Sequence, residues 1–174
     1  MDYIIYCDLD GVLVDFDKGY YELTGQHTTY ADRHGSKYFW DLYQESLEKN
    51  DISAYRYWAD LDWMPDGKKL WDYIKKHNPH ILTAPAVKDL PKEKAYNIKY
   101  NPSMQGKFNW TRRLDNVNKV KFKGTKQKHV LSGENKILID DRADTIERWN
   151  NAGGIGIYHT STENTIKQLK QLGL

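Results

Sequence analysis

Carboxylate pairs stand directly after two apolar segments of the sequence, and a hydroxyl stands after a third. Asp8 and Asp10 follow the first segment, Thr83 ends the second, and Asp140 and Asp141 follow the last. The carboxyl ends of parallel strands meet at one edge of a sheet, so these side chains are expected to converge. Four carboxylates in one crevice repel each other unless a cation neutralises them. Oxygen ligands and a site that also holds phosphate suit Mg²⁺.

The residue types and their spacing assign a role to each group at this edge. Asp8 can be the nucleophile, because carboxylates form acyl-phosphate intermediates. Asp10, two residues on, faces the same side and can protonate a leaving alkoxide and then deprotonate water. Gly11 allows a sharp turn close to phosphate. The Thr83 hydroxyl and backbone amides can hold phosphate oxygens, and a lysine must offset the charge around the transferring phosphoryl group.

Short apolar segments alternate with helical patterns along most of the chain. The segments predict strands at residues 3–7, 80–83, 137–139 and 154–158, with a weaker candidate at 117–122. Helices are predicted at 65–77, at 91–100, around Ile146 and Trp149, and after a Thr160/Glu163 capping box. This alternation predicts an α/β fold, a Rossmann-like parallel sheet with crossover helices.

One segment interrupts the alternation. Residues 15–62 have helical spacing of their apolar side chains and no strand pattern. A helical insertion after the first strand would form a small cap over that strand's carboxyl end. The predicted division is therefore an α/β core of residues 1–14 and 63–174, with a cap of residues 15–62.

Composition excludes several classes of protein. The 26 Lys and Arg nearly balance the 24 Asp and Glu, so the net charge of +2 gives no argument for a nucleic-acid or membrane partner. The longest apolar run is far below the roughly 18 residues that a membrane span needs. The single cysteine, Cys7, cannot form an intramolecular disulfide, and the N-terminus lacks a signal-peptide pattern. We expect a cytoplasmic protein; its oligomeric state is left open.

The motifs at the strand ends resemble those of the haloacid dehalogenase (HAD) superfamily of phosphotransferases. Asp8-Leu9-Asp10-Gly11-Val12-Leu13 resembles the first motif of that superfamily, and Ile81-Leu82-Thr83-Ala84 the second. The segment Ile137-Leu138-Ile139-Asp140-Asp141-Arg142 resembles the fourth. The order of the three is that of the superfamily, and together they span most of the chain.

A closer resemblance is to the 5'(3')-deoxyribonucleotidases of this superfamily. It implies Mg²⁺-dependent hydrolysis of deoxynucleoside monophosphates and an aromatic pocket for base and sugar. The residues that it places at the substrate are Phe16, Phe39, Trp40, Trp58, Ala84 and Lys94. Ordinary packing of the cap is the alternative for the aromatic residues. Ala84 departs from the pattern, since related enzymes often carry a second hydroxyl there.

The resemblance also implies the metal ligands and one catalytic lysine. The ligands would be Asp8, the backbone carbonyl of Asp10, and the Asp140–Asp141 pair, with Asp141 favoured for direct coordination. The lysine should stand near the start of a short helix upstream of the fourth motif. Lys126 is favoured for this role, and Lys128 also fits by spacing.

Two other functions stay open at this point. A phosphatase with the same chemistry could act on a sugar phosphate or on a 3'-phosphate at a nucleic-acid end. In the second case, a basic groove should lead to Asp8. A non-catalytic nucleotide-binding module could also use this fold, although binding alone needs no nucleophile.

Overall fold

The computed structural model describes residues 2–28, 37–88 and 90–174, and the chain forms two compact units. The sheet unit comprises Met1–Val14, Trp63–Ala84 and Arg113–Leu174. The helical unit comprises Asp15–Asp62 and Pro85–Arg112. None of the helices within the described ranges has the length and hydrophobicity needed to cross a membrane.

The sheet unit is built on five parallel strands in the order β3-β2-β1-β4-β5. Their bounds are β1 Ile4–Cys7, β2 His80–Thr83, β3 Val120–Phe122, β4 Lys136–Asp140 and β5 Ile155–Tyr158. The flanking α-helices of this unit are Gly67–Ile74, Ala143–Asn151 and Thr162–Gln171, numbered α4, α7 and α8 in chain order. This arrangement confirms the predicted α/β fold with a parallel sheet.

The central strand β1 carries apolar residues on both sides because both faces of the sheet are covered. On one face, Tyr6, Leu82 and Leu138 form a buried cluster with Ile146 and Trp149 of α7. Strand β1 lies between β2 and β4, so its carboxyl end adjoins the ends of both neighbours. A crevice at the carboxyl ends of such strands is the usual ligand position in open α/β sheets.

The helical unit consists of short helices packed on an aromatic core. Its α-helices are α1 Phe16–Thr24, α2 Lys37–Lys49, α3 Ser53–Ala59, α5 Lys92–Ala95 and α6 Pro102–Trp110. Helices α3 and α6 approach closely at Gly106, where a Cβ would lie 2.5 Å from the Tyr55 carbonyl oxygen and 2.7 Å from the Trp58 Cβ. Any side chain at Gly106 would therefore push the two helices apart.

The structure departs from the predicted division in one segment. Residues 85–112, which the sequence analysis assigned to the core, belong to the same compact unit as residues 15–62. The predicted helix at 91–100 is reduced to Lys92–Ala95, and the longer helix begins at Pro102. Asn101 determines that start, because its side chain accepts the amides of Ser103 and Met104 at 2.9 and 3.3 Å.

The N-cap of the last helix, Thr162–Gln171, lies one residue later than predicted. Ser161, rather than Thr160, is the N-cap residue, and its side chain accepts the Asn164 amide at 3.1 Å. Serine and threonine both serve in this position, so the sequence pattern could not separate the two neighbours.

Candidate active site

Asp8 and Asp140 are brought together by the pairing of the two central strands. Cys7 of β1 is in register with Ile139 of β4, and the Asp8 amide donates to the Ile139 carbonyl at 3.0 Å. Both carboxylates are therefore at the same level of the sheet, one residue beyond this pair. Both are buried, so each needs a compensating partner.

Lys128 supplies that partner. Its ammonium nitrogen lies 2.9 Å from Asp8 Oδ1 and 2.7 Å from Asp140 Oδ2, and the residue is only 2% exposed. Burial acts to lower the pKa of Lys128, but the charges of Asp8 and Asp140 outweigh it and raise the pKa above its ordinary value. Lys128 is therefore a permanent cation between the two carboxylates.

The structure corrects the choice between the two candidate lysines. Lys126 is exposed, whereas Lys128 opens a short 3₁₀ helix, Lys128–Leu131. Residues 124–127 form a turn, closed by the Gln127 amide on the Gly124 carbonyl at 2.8 Å. The short helix therefore begins at Lys128, and the ammonium that contacts Asp8 comes two residues later than the favoured Lys126.

Asp141 completes a cluster of three carboxylates with Asp8 and Asp140, whose closest oxygens all lie within 4.8 Å of one another. Burial, followed by the charge of Asp8, raises the pKa of Asp140 to about 6. Burial and the charges of Asp8, Asp140 and Asp10 raise the pKa of Asp141 to about 8. One lysine is thus too little positive charge for this set of acids.

Gly11 is required by the position of Asp141. Its φ of 77° lies in the left-handed region, and a Cβ there would come 2.0 Å from Asp141 Oδ2. The turn after β1 is held by the Leu9 carbonyl, which accepts the amides of Leu13 and Val14, both at 2.9 Å. The backbone of this turn can therefore approach the carboxylate cluster without a side chain in between.

The donor set fits a hard divalent cation. Asp140 is occupied on both oxygens, since Oδ2 accepts from Lys128 and Oδ1 accepts the Arg142 amide at 2.9 Å. Asp8 uses Oδ1 for Lys128, which leaves its Oδ2 and the Asp141 carboxylate to face a cation. Oxygen ligands of this kind are those that Mg²⁺ prefers. The assignment of Asp141 as the direct ligand and Asp140 as its support stays a prediction.

The remaining predicted residues of the sheet unit lie at the same strand ends. Thr83 is fully buried at the end of β2, and the half-buried Ala84 follows it. Asp10 is half-buried in the turn after β1, and its charge contributes to the raised pKa of Asp141. These positions are compatible with the predicted roles of Asp10 and Thr83, which stay predictions.

The aromatic residues predicted to bind substrate belong to the helical unit and differ in exposure. Phe39 and Trp58 are 3% and 4% exposed. Phe16 stacks on Trp58 with their ring centroids 5.5 Å apart, and Phe39 meets Phe16 edge-on at 6.2 Å. Phe39 and Trp58 therefore pack in the core of the unit. The half-buried Phe16 and Trp40 retain accessible surface.

Two lysines of the helical unit, Lys94 and Lys107, lie beside aromatic rings. Lys94 is exposed, and its ammonium lies 5.6 Å from the Tyr100 ring centroid. Its predicted approach to phosphate stays a prediction. Sequence reasoning missed Lys107, which is 3% exposed with its ammonium 4.6 Å from the Trp58 ring centroid. Nothing in the local pattern of α6 distinguishes it from a surface lysine.

Comparison with known proteins supports the fold. No family model matches the chain, and no curated protein matches it in sequence. A hydrolase from Streptococcus pneumoniae superposes with a TM-score of 0.50 at 18% identity, covering 98% of this chain and 100% of that one. A structure described as a haloacid dehalogenase-like hydrolase, from Burkholderia xenovorans, gives 0.50 at 12% identity, covering 87% and 77%. At these identities the likeness shows the α/β fold alone, and it does not support the closer deoxyribonucleotidase resemblance.

Replacing Lys128 tests whether it holds the site together. We expect Lys128→Met to lower the free energy of unfolding by about 3 kcal/mol, because removing one partner leaves buried carboxylates uncompensated. Lys126→Met is the matched control and should leave stability within about 0.5 kcal/mol of the wild type. Urea unfolding at pH 7 measures both. Equal, small effects of the two substitutions would contradict the buried ion cluster.

The raised pKa values of Asp140 and Asp141 predict a pH dependence of the metal-free protein. Between about pH 4 and pH 8 the native state binds more protons than the unfolded chain, so the free energy of unfolding falls as the pH rises. Saturating Mg²⁺ should abolish most of this loss, since the cation replaces the protons. Thermal unfolding with Mg²⁺ or with chelator, from pH 4.5 to 8.5, measures it. A melting temperature that rises with pH in chelator would contradict the cluster.

Proposed function

We propose that this protein is an Mg²⁺-dependent phosphomonoesterase that works through an aspartyl-phosphate on Asp8. The observation that carries the proposal is the constellation around Asp8. The carboxylate follows the central strand, the buried Lys128 ammonium lies 2.9 Å from it, and Asp140 and Asp141 stand within 4.8 Å. A nucleophile beside one fixed cation and a cluster of acids suited to a metal ion is the arrangement that phosphoryl transfer needs.

The reaction has two steps in this proposal. A carboxylate oxygen of Asp8 attacks phosphorus, the bond from phosphorus to the ester oxygen breaks, and Asp10 gives its proton to the departing oxygen. Asp10 then takes a proton from water, and the resulting hydroxide attacks phosphorus. The bond from phosphorus to Asp8 breaks, inorganic phosphate leaves, and both aspartates return to their starting forms. The net reaction consumes one water for each ester hydrolysed.

The surrounding groups orient the nucleophile and hold the phosphate. The ion pair with the Lys128 ammonium fixes Asp8 Oδ1. The same ammonium is placed to oppose negative charge on the transferring group. The Thr83 hydroxyl is the donor proposed for a phosphate oxygen. Mg²⁺, when bound at Asp8, Asp141 and the Asp10 carbonyl, would supply the remaining positive charge.

The substrate that the family resemblance implies is a deoxynucleoside monophosphate, and we retain it as the finer proposal. Its support in the structure is limited to the accessible aromatic surface of Phe16 and Trp40. Phe39 and Trp58 act differently in this proposal, because their buried rings support that surface rather than touch a base. Stacking on Trp40 would contribute roughly 1–3 kcal/mol per base.

Substitution of Asp8, which would accept the phosphoryl group, and of Asp10, which would transfer protons, tests the mechanism. We expect Asp8→Asn to reduce turnover of p-nitrophenyl phosphate by at least about a thousandfold, because the amide cannot attack phosphorus. Asp10→Asn should instead give a burst of nitrophenolate and a stable phosphorylated protein. Intact mass and stopped-flow absorbance measure both effects. Substantial turnover by Asp8→Asn, in a protein that still unfolds like the wild type, would eliminate the covalent mechanism.

A pair of tryptophan substitutions separates packing from substrate binding. We expect Trp58→Ala to lower the free energy of unfolding by about 3–5 kcal/mol, because it removes a buried ring. Trp40→Ala should leave stability nearly unchanged and raise the KM for deoxythymidine monophosphate about tenfold. Glycerol 2-phosphate, which has no ring to stack, is the control substrate and should show no change. Equal losses on both substrates would rule out base stacking on Trp40.

A further inference from the structure

The edge strand β3 carries a row of lysines that the proposed chemistry does not use. Lys119, Lys121 and Lys123 alternate with apolar residues along Val120–Phe122 and its flanks. Alternation in a strand puts all three on one face of the sheet, about 6.6 Å apart. This spacing is comparable with the separation of neighbouring phosphates along a nucleic-acid strand. We call these three residues the lysine row.

Contacts within the sheet fix the face on which the row lies. Lys121 is in register with Leu82, and its ammonium lies 5.8 Å from the centre of the Tyr6 ring. His80 stacks on the same ring at 5.0 Å, beside the row. Burial and the positive charges of Lys121 and Lys119 lower the pKa of His80, so protonation of His80 is disfavoured beside the lysine row.

The positive charge of the row is not neutralised by the protein. Lys119 is exposed, Lys121 and Lys123 are half-buried, and in the described part of the chain no carboxylate forms an ion pair with any of them. The overall charge of +2 therefore conceals a local excess of cations along one strand. Such an excess attracts a polyanion, whatever the net charge of the molecule.

The row points to the candidate active site. All five strands are parallel, so the carboxyl end of β3 lies at the sheet edge that holds Asp8. The Lys123 amide donates to the Thr83 carbonyl at 3.1 Å, which puts Lys123 level with the end of β2. A ligand that follows the row from Lys119 to Lys123 therefore arrives at the strand ends where phosphate would be held.

We propose that the lysine row binds the phosphodiester backbone of a single-stranded nucleic acid whose terminal phosphate is hydrolysed at Asp8. The inference rests on the proposed phosphomonoesterase activity and names its substrate class. Water cleaves the terminal ester, leaving a hydroxyl on the strand and releasing inorganic phosphate. A single row of cations fits one strand, whose flexible end can bring its phosphate to a buried carboxylate. A mononucleotide has no internal phosphates for the row to bind.

Lysines on an edge strand also have a structural use, since they discourage pairing with another sheet. That use requires no ligand and no alignment with the strand ends. If the lysines had only this structural use, removing their charges would leave oligonucleotide hydrolysis unchanged. The two roles are therefore separated by kinetics on substrates of different length.

The test removes the three charges and keeps most of each side-chain stem. We expect the K119Q/K121Q/K123Q variant to raise the KM for a 3'-phosphorylated octathymidylate at least tenfold, with kcat unchanged. Each phosphate contact adds about 0.7 to the slope of log affinity against log salt, so the variant should lose about 2 from that slope. Malachite-green phosphate release measures the kinetics, and fluorescence anisotropy of a labelled octathymidylate measures the slope. A 5'-phosphorylated octathymidylate shows which end is used.

The matched control removes the charges of three exposed lysines elsewhere in the sheet unit. Lys69 of α4 and Lys167 and Lys170 of α8 line one groove on these helices. The K69Q/K167Q/K170Q variant has the same net charge as the test variant and should behave like the wild type on both oligonucleotides. Equal weakening by the two variants would reduce the effect to net charge and overturn the inference.

The small substrate distinguishes failure of the inference from failure of the proposed function. Release of phosphate from glycerol 2-phosphate, with no effect of the row on the oligonucleotides, would overturn the inference and leave the phosphomonoesterase intact. Release from no ester at all, by a protein that binds Mg²⁺ and unfolds cooperatively, would overturn the proposed function and the inference with it.

Discussion

A single buried ammonium decides how much negative charge the strand ends of this protein can carry. Lys128 bridges Asp8 and Asp140 at 2.9 and 2.7 Å, with almost no access to solvent. Without it, two buried carboxylates would face each other across paired strands, and folding would require protonation of at least one. With Lys128 in place, the Asp141 carboxylate still has no cation within the described residues to balance its charge, and its pKa is raised. The acidic cluster therefore favours the binding of a further cation.

The sheet order makes this electrostatic arrangement possible. Strand β1 lies between β2 and β4, so Asp8, Thr83 and the Asp140–Asp141 pair, from distant parts of the sequence, meet at one edge. Backbone pairing places them to within one residue, since the Asp8 amide binds the Ile139 carbonyl. Gly11 then lets the following turn pass against Asp141, where any side chain would collide. The strands and Gly11 thus position the carboxylates. The short helix Lys128–Leu131 positions the ammonium that neutralises two of them.

The proposed substrate classes depend on residues other than the acids. The helical unit packs several large rings in its own core, as the burial of Phe39 and Trp58 indicates. Other rings of the unit are exposed, among them Tyr96 and Phe108. The lysine row of β3 lies in the same unit as the acids and ends level with Thr83. Base stacking and backbone binding are thus two different means of recognition, and they favour short and long substrates respectively.

The sequence by itself determined the alternation of strands and helices along the chain, the parallel sheet and the acidic strand ends, because these depend on local hydrophobic patterns and on motifs of four to six residues. Tertiary structure decided the remainder. Lys126 and Lys128 are equivalent in a pattern, and only the turn at 124–127 buries one and exposes the other. Trp58 and Trp40 are alike as aromatic residues, and only packing against Phe16 separates core from surface. Residues 85–112 join the helical unit because Gly106 lets α6 pack on α3, a contact between segments that no local pattern encodes.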